Sequence, residues 1–155
     1  MMTPREWLTF MQGADRRLAE ELAVGVRTFG LEVAATARGL IGHELPIWPP
    51  LADSTIAEKT RLGYTGRLSA TDPLLRTGGM RDSIDSVSEG LTTVVGSADP
   101  KALWQEMGTH KASGAIPPRP FLATAMVQSL PRAAEILGNA AVRALSPPGA
   151  TGGER

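Results

Sequence analysis

A chain of 155 residues, 42% of them hydrophobic, is long enough for one folded domain with a modest core and too apolar to be broadly disordered. Its 16 basic residues balance its 16 acidic ones; this argues against a dedicated nucleic-acid binder, whose affinity comes from a basic excess or stripe that neutralises phosphates. The absence of cysteine excludes disulfides, thiolate metal sites and a thiol nucleophile. No apolar run approaches the roughly 20 residues that span a bilayer. The start, Met1 to Glu6, lacks the apolar core of a signal peptide, so a soluble chain that is not exported by the usual route is expected.

Residues 3–41 read as one long helix. Thr3 is its cap, Pro4 takes the first helical position, and Glu6 completes a capping box three residues after Thr3. Leu8, Met11, Leu18, Leu22, Val26, Phe29, Val33 and Leu40 then recur in steps of three, four and seven, which form one stripe. Such a helix is roughly 55 Å long at 1.5 Å per residue, more than a small sheet covers, so part of the stripe is expected to meet a neighbouring subunit. Gly13, Gly25, Gly30 and Gly39 are mild breakers, and a kink or break is expected near Gly25 or Gly30.

Ile41 to Pro50 is a linker stiffened by prolines. Asp53 caps a short helix through Lys59 that Gly63 ends. Residues 63–73 carry no periodicity and read as an exposed loop. Thr77 is placed to cap a single turn over residues 78–82. Strands follow over 83–88 and 91–97, turning at Glu89-Gly90, and make the clearest hairpin in the chain. A lone hairpin is marginal, so the long first helix is expected across one face and the strand edges are available to another chain. Asp99-Pro100 starts a helix that runs to Gly108. Residues 109–118 form a loop, and the last helix starts near Pro120, with a kink or restart at Pro131. The fold expected is α+β: a long N-terminal and a C-terminal helix packed on a small antiparallel sheet, as one domain over residues 1–146. Residues 147–155 form a flexible Pro/Gly-rich tail.

Catalytic chemistry finds little purchase. His43 and His110 lack carboxylates or a second His at ligand spacing. Thr77-Gly78-Gly79-Met80 lacks the Lys-Ser/Thr ending of a phosphate loop. Asp82 and Asp85 read as solvated groups beside the hairpin. No catalytic, metal or cofactor-binding residue is assigned. Trp7, Trp48 and Trp104 read as core or subunit-contact anchors, Trp48 foremost because it lies in a rigid extended segment. Arg119, between Pro118 and Pro120, reads as a guanidinium held out on a preset backbone, ready to fork onto a carboxylate or onto helix-end carbonyls. The two readings kept for it are docking the loop onto the body and contact between subunits. Its truncation is expected to stop assembly and leave a folded monomer, whereas Trp48→Ala or Phe121→Ala should destabilise the fold. The candidate interface residues are Trp48, Thr77, Gly78, Trp104, His110, Arg119, Pro120 and Phe121.

The middle of the chain carries a resemblance. Trp48-x-Pro50-Leu51 with Thr55-Ile56 and Lys59 is followed by Pro73-Leu74-Leu75-x-Thr77-Gly78-x-Met80-Arg81-x-Ser83-Ile84. Val95-Gly96-Ser97 and Gln105-x-x-Gly108-Thr109 come next, and Ile116-Pro117-x-Arg119-Pro120-Phe121-Leu122 closes the series. In this order the pieces resemble the tailed-phage virion morphogenesis and tail-completion proteins, including the Mu-type morphogenesis proteins and relatives of lambda minor tail protein Z. The resemblance covers residues 47–125. It departs from many relatives at Ala102-Leu103-Trp104-Gln105-Glu106, where those carry a Tyr-Ala pair before a His.

The resemblance implies a structural role in the virion, with assembly in the host cytoplasm. Such proteins work as rings of identical subunits, most often sixfold, that cap or complete the tail tube and join it to the head. The implied partners are further copies of the chain, the tail tube protein and head-completion or connector proteins. DNA would pass through the lumen without specific binding, and neither a membrane nor a cofactor is implied. A head-completion adaptor on the portal side is the neighbouring alternative. A small hydrolase built on the two histidines, or a DNA-binding module, is the alternative of another class.

Overall fold

The computed structural model describes residues 2–64, 70–110 and 114–147. Its element order is α1 (Pro4–Met11), α2 (Ala14–Leu40), α3 (Asp53–Arg61), α4 (Gly79–Asp82), β1 (Ile84–Glu89), β2 (Thr92–Ser97), α5 (Lys101–Met107) and α6 (Phe121–Leu145). The fold is α+β, with helices at both ends and one two-stranded antiparallel sheet between them.

The first helix is two helices. The capping box at Thr3 and Glu6 forms as expected, but α1 ends at Met11 and α2 starts at Ala14 with Gly13 as its N-cap. The break falls at Gly13, not at Gly25 or Gly30. Those two glycines lie inside an uninterrupted helix and permit close approach. A Cβ on Gly25 would sit 3.1 Å from Leu137 of α6, and one on Gly30 would sit 2.2 Å from Thr93 Oγ1 of β2. Arg17 fastens the broken end: Nη2 donates to Phe10 O at 2.6 Å, Nε to Ala144 O at 3.3 Å, and the guanidinium lies 3.9 Å above the Phe10 ring.

α2 is the central element. It packs along α6 on one side and carries both strands on another. The α2–α6 pair is antiparallel, since Arg17 meets Ala144, Glu21 meets Arg143 at 3.0 Å, Gly25 faces Ala140, and Thr36 meets Ser129 at 3.2 Å. α6 therefore packs on α2 rather than on the sheet. It runs through Pro131 without restarting; this position costs one backbone hydrogen bond. The core gathers Phe29, Val33, Ala37 and Leu40 of α2 with Trp48, Leu75, Met80, Ile84, Phe121 and Ala125.

The hairpin pairs Ile84 with Ser97 through to Glu89 with Thr92, so the turn is Gly90-Leu91, one residue later than expected. Gly90 has φ +53, the left-handed backbone that such tight turns demand. The inward face is small and polar, Ser86, Ser88 and Thr93 below Val95 and Ile84. Val87 and Val94 point away from α2 and stay exposed.

Three local expectations change. Asp53 is the first residue of α3 rather than its cap, which is Ala52. The turn at 79–82 is entered through Gly78 in the left-handed region (φ +89), and the Thr77 hydroxyl stands 3.5 Å from the Gly79 N–H, too long to cap it. Of the loop expected at 63–73, residues 65–69 lie outside the described residues. Its end is not exposed: Asp72 and Pro73 are buried, and Pro73 O accepts from the Gly42 N–H at 3.0 Å. In the 109–118 loop an isolated bridge joins Thr109 to Ile116, while 111–113 lie outside the described residues. So does the tail from 148 onward.

Candidate functional site

Three of the motif pieces, around Pro50, Gln105 and Arg119, meet in one internal clamp. Arg119 is 4% exposed. Its Nε and Nη2 donate to Pro49 O at 3.1 and 2.9 Å, and Nη2 also reaches Pro50 O at 3.0 Å. The Arg119 N–H donates to Gln105 O of α5 at 2.6 Å. Prolines explain both halves of the contact. Pro118 and Pro120 fix the backbone that presents the guanidinium, and the extended Pro49-Pro50 segment has carbonyls that no helix or sheet claims. Of the two readings kept for Arg119, the geometry matches docking of the loop onto the body, on carbonyls of the same chain rather than on a carboxylate or a helix end. With no carboxylate beside it, burial pushes the guanidinium below its ordinary range, although arginine stays charged.

Next to this clamp Phe121 is fully buried and Trp48 nearly so. The Trp48 Nε1 is enclosed without a hydrogen-bond partner among the described residues, so its worth is the ring's apolar area rather than a bond. Pro120 is half-buried and is the N-cap of α6. A proline cap cannot satisfy the free N–H groups of a helix start. Glu106 does so from α5: Oε2 accepts from Phe121 and Leu122 at 2.8 and 2.9 Å, and Oε1 from Ala123 at 2.8 Å. A carboxylate there also meets the positive end of the helix dipole. Nothing in a linear reading pointed to Glu106, because its three partners are 15 to 17 residues away.

The other candidates scatter. Thr77 and His110 are exposed, Gly78 is buried at its turn, and Trp104 is 45% exposed on α5. A cleft of ≈ 850 Å³ runs between α3, the 72–80 segment and residues 115–119. Lys59, 7% exposed, forms part of its wall and donates to Asp72 O at 2.6 Å. Burial lowers the Lys59 pKa, opposed in part by the charge of Asp72. Leu74, also on the cleft, has φ +63, which is unusual for a branched side chain. Charged groups of both signs line the cleft, among them Lys59, Arg76 and Lys101 and Asp53, Glu58 and Asp99. Among the described residues no group of three or more His, Asp or Glu is gathered where it would hold a metal ion.

The clamp and its cap lock the Pro-rich linker, α5 and α6 into one frame. Apolar side chains are exposed on several elements around it. Trp7, Leu8 and Met11 of α1 are exposed, and α1 buries none of its residues. Val127, Leu130, Val142 and Leu145 lie exposed along α6, and Val87 and Val94 on the hairpin. Among the described residues no helix is long and apolar enough to cross a membrane. Comparison with protein-family models, with curated proteins and with solved structures gives no match.

Proposed function

We propose that this chain is a structural virion protein of the phage head–tail junction, acting by assembly rather than catalysis. In this reading it is the subunit of a homo-oligomeric ring, sixfold by the resemblance, that ends or completes the tail tube and joins it to the head. Its partners are further copies of itself, the tail tube protein and the head-side connector, with DNA passing through the lumen.

The observation that carries the reading is the set of exposed apolar side chains on three elements of a chain whose Trp48, Pro50, Gln105, Arg119 and Phe121 are engaged in an internal frame. Large exposed apolar patches on a small chain mark interaction surfaces. Apolar surfaces on α1, on α6 and on the hairpin suit heterologous contacts, which close by rotation into a ring. The ordered series from Trp48 to Leu122 supplies the phage context.

Mass photometry and native mass spectrometry at micromolar concentration, with and without tail tubes of the particle encoded alongside the chain, test this. Discrete multi-copy rings, free or on the tubes, are expected. A protein that stays monomeric in both settings overturns the proposal. Electron microscopy of particles lacking the chain then places it: overlong tails mark a terminator, and normal tails detached from full heads mark a joining adaptor.

A further inference from the structure

The two edges of the hairpin are unlike. The Ala98 N–H donates to Ser83 O, so in the observed register the pairs Asp85/Gly96, Val87/Val94 and Glu89/Thr92 exchange backbone bonds. Ile84, Ser86 and Ser88 of β1, and Thr93, Val95 and Ser97 of β2, therefore turn their N–H and C=O groups outward. On β1 some of these groups are engaged. Ile84 O accepts from Arg38, whose Nε is at 3.1 Å and whose Nη2 is also bonded to it, and the Ser86 N–H donates to Asp85 Oδ1 at 2.8 Å. On β2 the outward groups of Thr93 and Val95 find no partner among the described residues. β2 also carries no charge, proline or bulge, the devices by which edges are usually protected.

Charge and ring closure together select the strand that fits this edge: charge disfavours β1 against β1, and β2 against β2 is an isologous contact that closes as a pair rather than a ring. Asp85 and Glu89 lie on the solvent face of β1, whereas the same face of β2 carries Thr92, Val94 and Gly96. Pairing two β1 strands sets carboxylate near carboxylate, which is unfavourable. Pairing β2 with a second copy's β1 sets those carboxylates beside neutral residues, and the Ser86 C=O and both Ser88 backbone groups complete the ladder.

We propose that β2 of one copy pairs antiparallel with β1 of the next, so that the hairpins of the ring form one continuous antiparallel sheet. This rests on the ring reading above. The bulk of each chain, α2 with α6 behind it, lies on one side of the sheet. In a closed ring the wider layer must be outside, because circumference grows with radius. The face with Asp85, Val87, Glu89, Thr92 and Val94 then lines the lumen with two carboxylates per copy, with Arg38 near Asp85 only at the strand edge, a surface along which DNA passes without adhering.

The chain has no cysteine, so single introduced thiols report the pairing directly. Val94→Cys is co-expressed with Asp85→Cys, Val87→Cys or Glu89→Cys, and the oligomers are oxidised and read by non-reducing electrophoresis and peptide mass mapping. A cross-link from the β2 thiol to one of the three β1 thiols is expected, the strongest marking the register. Links only between the β2 thiols of two Val94→Cys copies, or rings that give no cross-link, overturn the edge pairing and leave the ring reading standing. A chain that is monomeric with and without tail tubes overturns both. Val95→Pro, which removes an outward N–H and spares the hairpin's own ladder, is expected to lower ring yield at least tenfold in a protein that still folds, with a lower melt from the packing Val95 gives up against the core. Undiminished rings from a folded Val95→Pro protein overturn the pairing, and the cross-links decide the matter if that variant unfolds.

Discussion

At the residue scale, Arg119 shows how a correct reading of local chemistry still leaves open where a side chain lands. The flanking prolines announce a fixed backbone and a fork in search of oxygens; both are present. What a linear reading lacks is that Pro49 and Pro50, some 70 residues earlier, offer those oxygens inside the same chain. Arg119→Ala is therefore expected to destabilise the monomer itself. It removes three charge-assisted donations to carbonyls of the exposed Pro49 and Pro50, which water can then reach, a loss of about 1.5–3 kcal/mol, since hydrogen bonds to charged groups are worth about that much each and do not add. Arg119→Lys is expected to recover only part, because a single ammonium cannot reproduce the planar fork. Urea unfolding of the three proteins checks this. An alanine variant with the parent midpoint would return Arg119 to the role of an outward spur.

The element scale separates what patterns reveal from what packing decides. The hairpin, the end of α5 at Gly108 and the start of α6 are legible because turn residues and caps act locally; the start of α5 lies one residue later than read, with Pro100 as its N-cap and Lys101 as its first residue. Asp99 does hold the start of α5, accepting from the Lys101 N–H at 2.9 Å. The face of the hairpin was not legible. Val87 and Val94 look like core residues, yet the register sends them outward, because Ile84 must enter the core and alternation fixes the rest. The glycines of α2 look like breakers, yet Gly30 is where a strand rests on the helix. Gly30→Ala gains roughly 1 kcal/mol of helix propensity but places a methyl 2.2 Å from Thr93 Oγ1 and 3.2 Å from its Cβ. The net expectation is a loss of about 1–3 kcal/mol through overpacking. Gly39→Ala, with nothing within 4 Å of the new methyl, is expected to stabilise by about 0.4–1 kcal/mol. Melting temperatures of the pair decide it, and equal shifts in one direction would show that α2 does not bear on β2 as described.

α1 offers a pH test at the same scale. The Thr3 N–H donates to Glu6 Oε2 at 2.7 Å, and this bond with the Thr3 hydroxyl holds the Glu6 carboxyl below its ordinary 4.5. A lowered carboxylate pKa means that the folded cap binds its proton less readily than the frayed end does. The stabilisation is complete above the ordinary value and is lost as pH falls through the lowered one. Amide exchange at Thr3 and Glu6 is expected to accelerate in that acid window, relative to unprotected amides, while α2 stays protected. No such acceleration, or one equally large in Glu6→Gln, would show that the cap does not depend on the carboxylate.

At the scale of the whole molecule, zero net charge hides an uneven distribution, and the uneven part makes the ring testable against DNA. The hairpin's solvent face holds Asp85 and Glu89, with Arg38 reaching Asp85 only from the edge at 3.9 Å. If that face lines the lumen, every carboxylate on it is repeated around the ring and faces a passing duplex. Reversing both with Asp85→Lys and Glu89→Lys then gives a closed circle of cations at one radius. Such a ring is expected to retain duplex DNA that the parent ring does not, with affinity falling steeply between about 50 and 200 mM salt, as counterion release requires. The control is an equal charge change on the outer layer, Glu20→Lys with Glu135→Lys. Placed on α2 and α6, these lysines are spread over the rim and are expected to give a weaker affinity with a shallower salt slope. Fluorescence anisotropy of a short duplex, titrated with each ring across that salt range, measures both quantities. Equal slopes for the two double variants would mean that the hairpin face is one more outer surface, and the assignment of the lumen would fall with it.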